Sequence, residues 1–239
     1  MKFILATLIS VQIWLSPNAH AAEKVDLALV LAVDCSGSVN PQEYALQMNG
    51  IAAAFRDPVI ISAATNGPEH RIAVNLLTWG DPDDRKFESG WHIISSTQDG
   101  LDFANTTANF TRHMDGGTGK GNAIAFGLTL INDGTVQGSR KVIDVSGDGK
   151  ESWELREPHF KLRDAQKLRA SVGVTVNGLA IETDDKELAQ YYQDYVAAGP
   201  ENFVLVVANY QQYAEAIRRK LLLEINPNVA ELVSPSPVQ

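Results

Sequence analysis

Cysteine is nearly missing from this chain: Cys35 is the only one in 239 residues. No intrachain disulfide can form, so burial alone has to hold the core together. A single thiol beside a polar loop reads as a small buried hydrophobe, because nothing near it in sequence is arranged to lower its pKa. Basic residues are also short, 20 Lys and Arg against 29 Asp and Glu, for a formal net charge of -9. With no basic stripe, a phosphate-neutralising nucleic-acid surface is excluded, whereas cation binding suits the charge. Histidine is sparse. His70, His92, His113 and His159 have spacings that nominate neither a catalytic base nor a zinc pair. A P-loop is absent because Gly121 follows Gly119-Lys120 where Ser or Thr is required. A nucleophile elbow is absent because Asp144 precedes Val145-Ser146-Gly147 where glycine is needed.

Long apolar runs are lacking too. The longest near the start, Phe3 to Leu15, is shorter than the ~20 residues that span a bilayer. With Lys2 before it and Ala19-His20-Ala21 after it, the segment reads as a secretory signal peptide over residues 1–21, cut before Ala22. The mature protein is then expected to be exported, periplasmic or secreted, with no membrane span. The end, Ser234-Pro235-Ser236-Pro237, reads as part of a flexible tail from residue 227.

What lies between is ordinary globular sequence, 44% hydrophobic and 21% charged, long enough for one large domain over residues 22–226. Strand-length apolar runs alternate with helical periodicity. Leu27–Val33, Ile72–Thr78, Lys141–Val145, Val174–Ile181 and Phe203–Val207 are mostly continuous rather than alternating, as in parallel strands covered on both faces. Trp91–Ile94 follows too short a loop for a helical crossover, so it is expected as an antiparallel edge strand. Helices are expected from the Asn40-Pro41-Gln42-Glu43 capping signal to about Phe55, and again from Asp57-Pro58. Others are expected at Gln98–Met114, Asn122–Ile131, Pro158–Ala170, Asp185–Ala197 and Tyr210–Glu224. The pattern predicts an α/β fold: a doubly wound, mostly parallel sheet with one short antiparallel edge strand and helices on both faces.

In such a sheet ligands bind beyond the carboxyl ends of the strands. The first strand ends in Asp34-Cys35-Ser36-Gly37-Ser38, where Asp34, Ser36 and Ser38 alternate and so project to one side. A second loop, Asp115-Gly116-Gly117-Thr118-Gly119, presents a hydroxyl from a backbone free to approach closely. The strand VIDVSGDG places Asp148-Gly149 at its carboxyl end. Two carboxylates and three hydroxyls, with no histidine or thiolate facing outward, make a ligand set for a hard divalent cation: Mg²⁺ first, with Mn²⁺ or Ca²⁺ as alternatives. Asp144 lies about 13 Å before Asp148 along an extended strand and reads as a partnered polar residue within the sheet.

Asp34-x-Ser36-x-Ser38, then Gly116-Gly117-Thr118, then Asp148-Gly149 resemble the metal-ion-dependent adhesion site of von Willebrand factor A-type domains. Across the domain, LALVLAVDCSGSV, HRIAVNLLTW, VIDVSGDG and AIRRKLLLEI resemble an uncharacterised group of exported bacterial A-domain-like proteins. The resemblance implies a Rossmann-like A-domain fold and Mg²⁺ held by Asp34, Ser36, Ser38, Thr118 and Asp148, directly or through water. It also implies that a carboxylate from a protein partner completes the metal shell. Two positions depart from the family pattern: Cys35 stands where an apolar residue is usual, and Lys150 follows Asp148 closely, placed to weaken the metal or pair with Glu151.

Against this stand plainer readings. Either aspartate alone is more often a cap or turn residue than a ligand. Trp79, Asp81, Trp153 and Glu182 fall near strand ends or site loops, as an aromatic partner-binding rim or simply as the edge of the core, the latter favoured for Trp79. An enzyme is the alternative function, with Asp34 as the acceptor in Mg²⁺-dependent phosphotransfer or hydrolysis. Ser36 occupies the place two residues on where such enzymes carry a second acid. Asn105-Thr106-Thr107 and Asn109-Phe110-Thr111 match glycosylation acceptors, relevant only in a eukaryotic secretory pathway.

Overall fold

A computed structural model describes residues 21–83, 85–113, 116–152 and 162–226. The expected signal peptide but for Ala21, the expected tail from residue 227, Trp153 and the expected helix start at Pro158 lie outside them.

Among the described residues seven strands form one sheet: β1 (Glu23–Asp34), β2 (Ile72–Trp79), β3 (Phe87–Glu88), β4 (His92–Ile94), β5 (Val136–Gly147), β6 (Thr175–Ile181) and β7 (Val204–Val207). The order is β3-β2-β1-β5-β6-β7, parallel from β2 to β7, with β3 and β4 both antiparallel to β2. The expected short antiparallel strand is β4. The second one, β3, has only two residues and no apolar run, so hydrophobic pattern does not mark it.

Among the described residues seven α-helices flank the sheet: α1 (Pro41–Ala54), α2 (Pro58–Ala64), α3 (Thr97–Ala108), α4 (Lys120–Ile131), α5 (Leu162–Val172), α6 (Leu188–Tyr191) and α7 (Tyr213–Ile225). The capping box before α1 is complete. Asn40 Oδ1 accepts from the backbone N–H of Gln42 and Glu43, and Glu43 Oε2 accepts from Asn40 N–H. Strand alternation splits the core in two. Leu27, Leu29, Leu31 and Val33 of β1 pack with α1, α2, α3 and α7, while Val30 and Ala32 face α4, α5 and α6.

Two helices differ from expectation. α3 stops at Ala108 rather than Met114, and Arg112 beyond it donates to the carbonyls of Cys35 and Ser36, at 3.2 and 3.1 Å. A continued helix would point that guanidinium elsewhere. The segment expected as one helix over Asp185–Ala197 is α6 followed by a π-helical turn over Tyr192–Val196. Asp185 Oδ1 accepts from Glu187 N–H, a local turn that delays the helix start. The wide turn seats the fully buried Tyr192 ring against Gly178, where a Cβ would lie 2.6 Å from Tyr192 Cδ1.

β1 sits at the centre, with β2 on one side and β5 on the other. The chain leaves β1 one way and returns the other, so a crevice opens at the carboxyl ends of β1 and β5.

Candidate metal site

The loop after β1 is held from several sides. Asp34 Oδ1 accepts from Ser36 N–H at 2.8 Å, folding the loop back on its own carboxylate. Gln47 of α1 donates to the Asp34 carbonyl at 2.9 Å, and Gly37 N–H donates to the Gly116 carbonyl at 2.8 Å. Arg112 ties down the next two carbonyls. Ser36 and Ser38 place their hydroxyls 3.3 Å apart, and Ser38 donates to Asp148 Oδ1 at 2.7 Å.

The threonine loop is positioned by the loop after β2. Asp81 Oδ2 accepts from Gly117 N–H at 3.2 Å, and Gly119 N–H donates to the Gly80 carbonyl at 2.9 Å. Ser152 N–H donates to the Thr118 carbonyl at 2.9 Å, tying this loop to the one after β5. A Cβ on Gly149 would lie 3.6 Å from Thr118 Oγ1, so the hydroxyl stands over the Asp148-Gly149 turn.

The structure thus brings together Asp34, Ser36, Ser38, Thr118 and Asp148 from three separated loops, graded in depth. Asp34 and Ser36 are fully buried, Thr118 and Asp148 keep a small exposed edge, and Ser38 is exposed. Asp34 Oδ2 is buried with no hydrogen-bond partner. Burial pushes the Asp34 carboxyl up to about 6, Lys120 pulls it down and Asp148 pushes it further up. It is a carboxylate stripped of water and short of positive charge. Gly147 allows this: a Cβ there would lie 2.5 Å from Asp34 Oδ2 and 3.1 Å from Tyr192 Oη.

Three residues that hold the site carry no sequence signal of that role: Gln47, Arg112 and Lys120. Lys120 reads only as a failed P-loop lysine, yet its side chain is completely buried beside the loops. Asp81 acts as a scaffold of the threonine loop. Trp79 is wholly buried against the α4 side of the sheet, as favoured, although its ring also faces Lys120. Glu182 accepts from Ala189 N–H and supports α6. Lys150 turns away from the crevice to Asp185 Oδ2, at 2.8 Å. Cys35 is buried, donates to the Trp79 carbonyl at 3.3 Å, and has its thiol pushed up to about 12 by burial, so it is an inert core residue. Among the described residues no group of three His, Cys, Asp or Glu stands close enough to hold a metal alone, so any ion here needs the hydroxyls.

Solved structures share this fold. The pilus adhesin SpaC from Lactobacillus rhamnosus GG superposes with a TM-score of 0.61 at 15% identity, over 84% of this chain and 30% of that one. Proximal thread matrix protein 1 from the mussel byssus, with a zinc-occupied MIDAS motif, gives 0.57 at 18% identity over 86% and 46%. The vWF domain of the type V pili tip protein Mfa5 from Porphyromonas gingivalis gives 0.56 at 10% identity over 90% and 98%. The chain therefore spans less than half of SpaC and of the byssus protein, and nearly all of the Mfa5 vWF domain. At identities this low the superpositions show the fold alone, that of a von Willebrand A-like domain. No curated protein matches the chain. A family model described as "Protein of unknown function (DUF1194)" matches residues 24–229, nearly all of the described domain, and the chain belongs to that family.

Proposed function

We propose that this protein is an exported binding module that holds one divalent cation at Asp34, Ser36, Ser38, Thr118 and Asp148 and uses it to capture a carboxylate on a protein partner. One observation carries the reading: Asp34 Oδ2 is buried and unpartnered where the three loops meet. An orphaned buried carboxylate oxygen is costly, and a cation is the group that would satisfy it. The donors fit a hard ion, being two carboxylates and three hydroxyls with no soft ligand among them. Mg²⁺ suits them, with Mn²⁺ and Ca²⁺ as alternatives, and the zinc in the byssus protein's MIDAS adds Zn²⁺ to the ions worth testing.

The protein ligands do not close an octahedron of strong donors. A partner Asp or Glu would supply the missing charged oxygen at the outer, Ser38 side, where the crevice is open. The pilus adhesin and the pili tip protein among the structural neighbours support a role in protein contact outside the cytoplasm, as does the signal peptide expected at residues 1–21. Complete burial of Asp34 weighs against the phosphotransfer alternative, since an acceptor carboxylate must reach a phosphorus atom in line.

Calorimetry on chelator-treated mature protein tests the reading. One divalent ion should bind, and binding should be lost in Asp34→Ala and in Asp148→Ala. Equal binding in both variants would sink the assignment. A pull-down from the cell envelope should then yield a partner that is released by chelator and recaptured with Mg²⁺.

A further inference from the structure

Lys120 occupies a position that is unfavourable for a lysine on every local count. It is the first residue of α4, where the helix dipole is positive and a cation is disfavoured. Its side chain is entirely buried, which strips the ammonium of water. What surrounds it compensates. Nζ donates to the carbonyl of Gly149, the residue after Asp148. It lies 4.9 Å from the Trp79 ring centre and 5.4 Å from that of Tyr192, so two aromatic faces take up part of its charge. Tyr192 Oη and Asp34 Oδ2 both border Gly147. Glu151 accepts from Gly121 N–H one residue along. Burial pulls the Lys120 ammonium below its usual range, and the charges of Asp34, Glu151 and Asp148 work against that pull.

We propose that Lys120 is a built-in counter-ion of the acidic crevice, which holds the empty site together and competes with the divalent cation for Asp34. This rests on the metal reading above and adds the chain's own fixed cation to it. A crevice with two aspartates converging on a buried floor would repel itself open without metal; a tethered ammonium beneath it prevents that. The same positive charge lowers the field that a divalent ion would feel. The site then binds its metal weakly enough for a partner carboxylate to contribute materially to the total. The plainer alternative is that Lys120 only ties down the Gly149 carbonyl, in which case Asp34 is irrelevant to it.

A double-mutant cycle in chelator separates the two, using Lys120→Met, Asp34→Asn and both together, followed by thermal unfolding. Lys120→Met alone should lower Tm by about 5–10 °C, with the double variant recovering at least half of that loss. If the single variant yields no folded protein, a folded double variant is the same recovery. An additive cycle, or a double variant that stays unfolded, overturns the proposal. Calorimetry with Mg²⁺ and Mn²⁺ reads the competition: the ion should bind Lys120→Met about tenfold or more tightly than the unaltered protein. Unchanged or weaker binding overturns it. If neither protein binds metal while the cycle shows recovery, the counter-ion role stands and the metal reading falls.

Discussion

Among the described residues two lysines are completely buried, one deep in the sheet and one at the crevice. Deep in the sheet, Lys220 of α7 lies 3.1 Å from Asp144 of β5 and 2.6 Å from Glu224. Glu224 also accepts from Asn177 of β6 at 2.9 Å, its carbonyl accepts from Arg140, and Phe203 N–H donates to Asn177 Oδ1. One ammonium there faces two carboxylates, and Asp144 Oδ2 and Glu224 Oε2 also lack hydrogen-bond partners, but Lys220, Asp144 and Glu224 are all sealed inside the fold. At the crevice, Lys120 meets aromatic faces and a carbonyl instead, and Asp34 keeps one oxygen with no partner. The same chemistry therefore serves two ends. The sealed cluster fixes how α7 seats on the sheet; the one at the crevice has its deficit of positive charge where something from outside can reach it.

The comparison breaks most sharply at Lys220. Lys220→Met strands Asp144 and Glu224 without their cation and should cost about 3–5 kcal/mol, or prevent folding. Denaturant unfolding would measure it, and Mg²⁺ should restore nothing. If Mg²⁺ did restore stability, the two clusters would be one.

Asp148→Ala should behave in the opposite way. It should remove divalent binding, read by calorimetry, while chelator-treated protein stays folded with a Tm within a few degrees of the parent. A comparable collapse in stability would make the crevice a structural cluster like the deep one. Thr118→Ala is a milder version, since one hydroxyl among five donors is lost. Metal or partner binding should weaken about tenfold, roughly the worth of one hydrogen bond to a charged group, with unchanged unfolding.

The closed cluster should also be visible in pH. Burial and the neighbouring Glu224 push the Asp144 carboxyl up from 3.8 to about 7, against the pull of Lys220. Between those values the folded protein holds a proton that the unfolded chain has released. Stability from this group is therefore present below about pH 4 and is lost as pH rises through 7, by at most about 1.4 kcal/mol per pH unit. Unfolding free energies at pH 5.5 and 8, compared with those of Asp144→Asn, should show that slope flattened. The smallest expected effect is none at all: no Mg²⁺-dependent hydrolysis of generic phosphate esters. Turnover that disappears in Asp34→Asn would instead make the crevice catalytic.

Most of the architecture was legible because its signals are local. Continuous apolar runs report strands covered on both faces, and an Asn-Pro-x-Glu start reports a cap, whatever the rest of the chain does. The candidate site was legible for a related reason. Alternating Asp34, Ser36 and Ser38 at a strand end, a Gly-Gly-Thr loop and an Asp-Gly strand end are short patterns whose residue types fix their chemistry. Helix length was read less well: the α3 end and the π turn at Tyr192 answer to Arg112 and to the floor of the crevice, which periodicity does not sense.

By itself, then, the sequence determined the order of strands and helices, the covered sheet and five oxygen donors at loop positions. Tertiary structure decided which charges meet. Asp144 lies in β5 and Asp148 just past its end, four residues on, yet one is sealed against Lys220 and the other opens to the crevice. Lys120 and Lys220 look in sequence like any solvated lysine, one beside glycines and the other in a charged helix. Their burial follows from the placing of β5 beside β1 and of α4 and α7 on opposite faces. Electrostatic energy in a dry interior depends on distances across the sheet, and those distances exist only once the strands are in order.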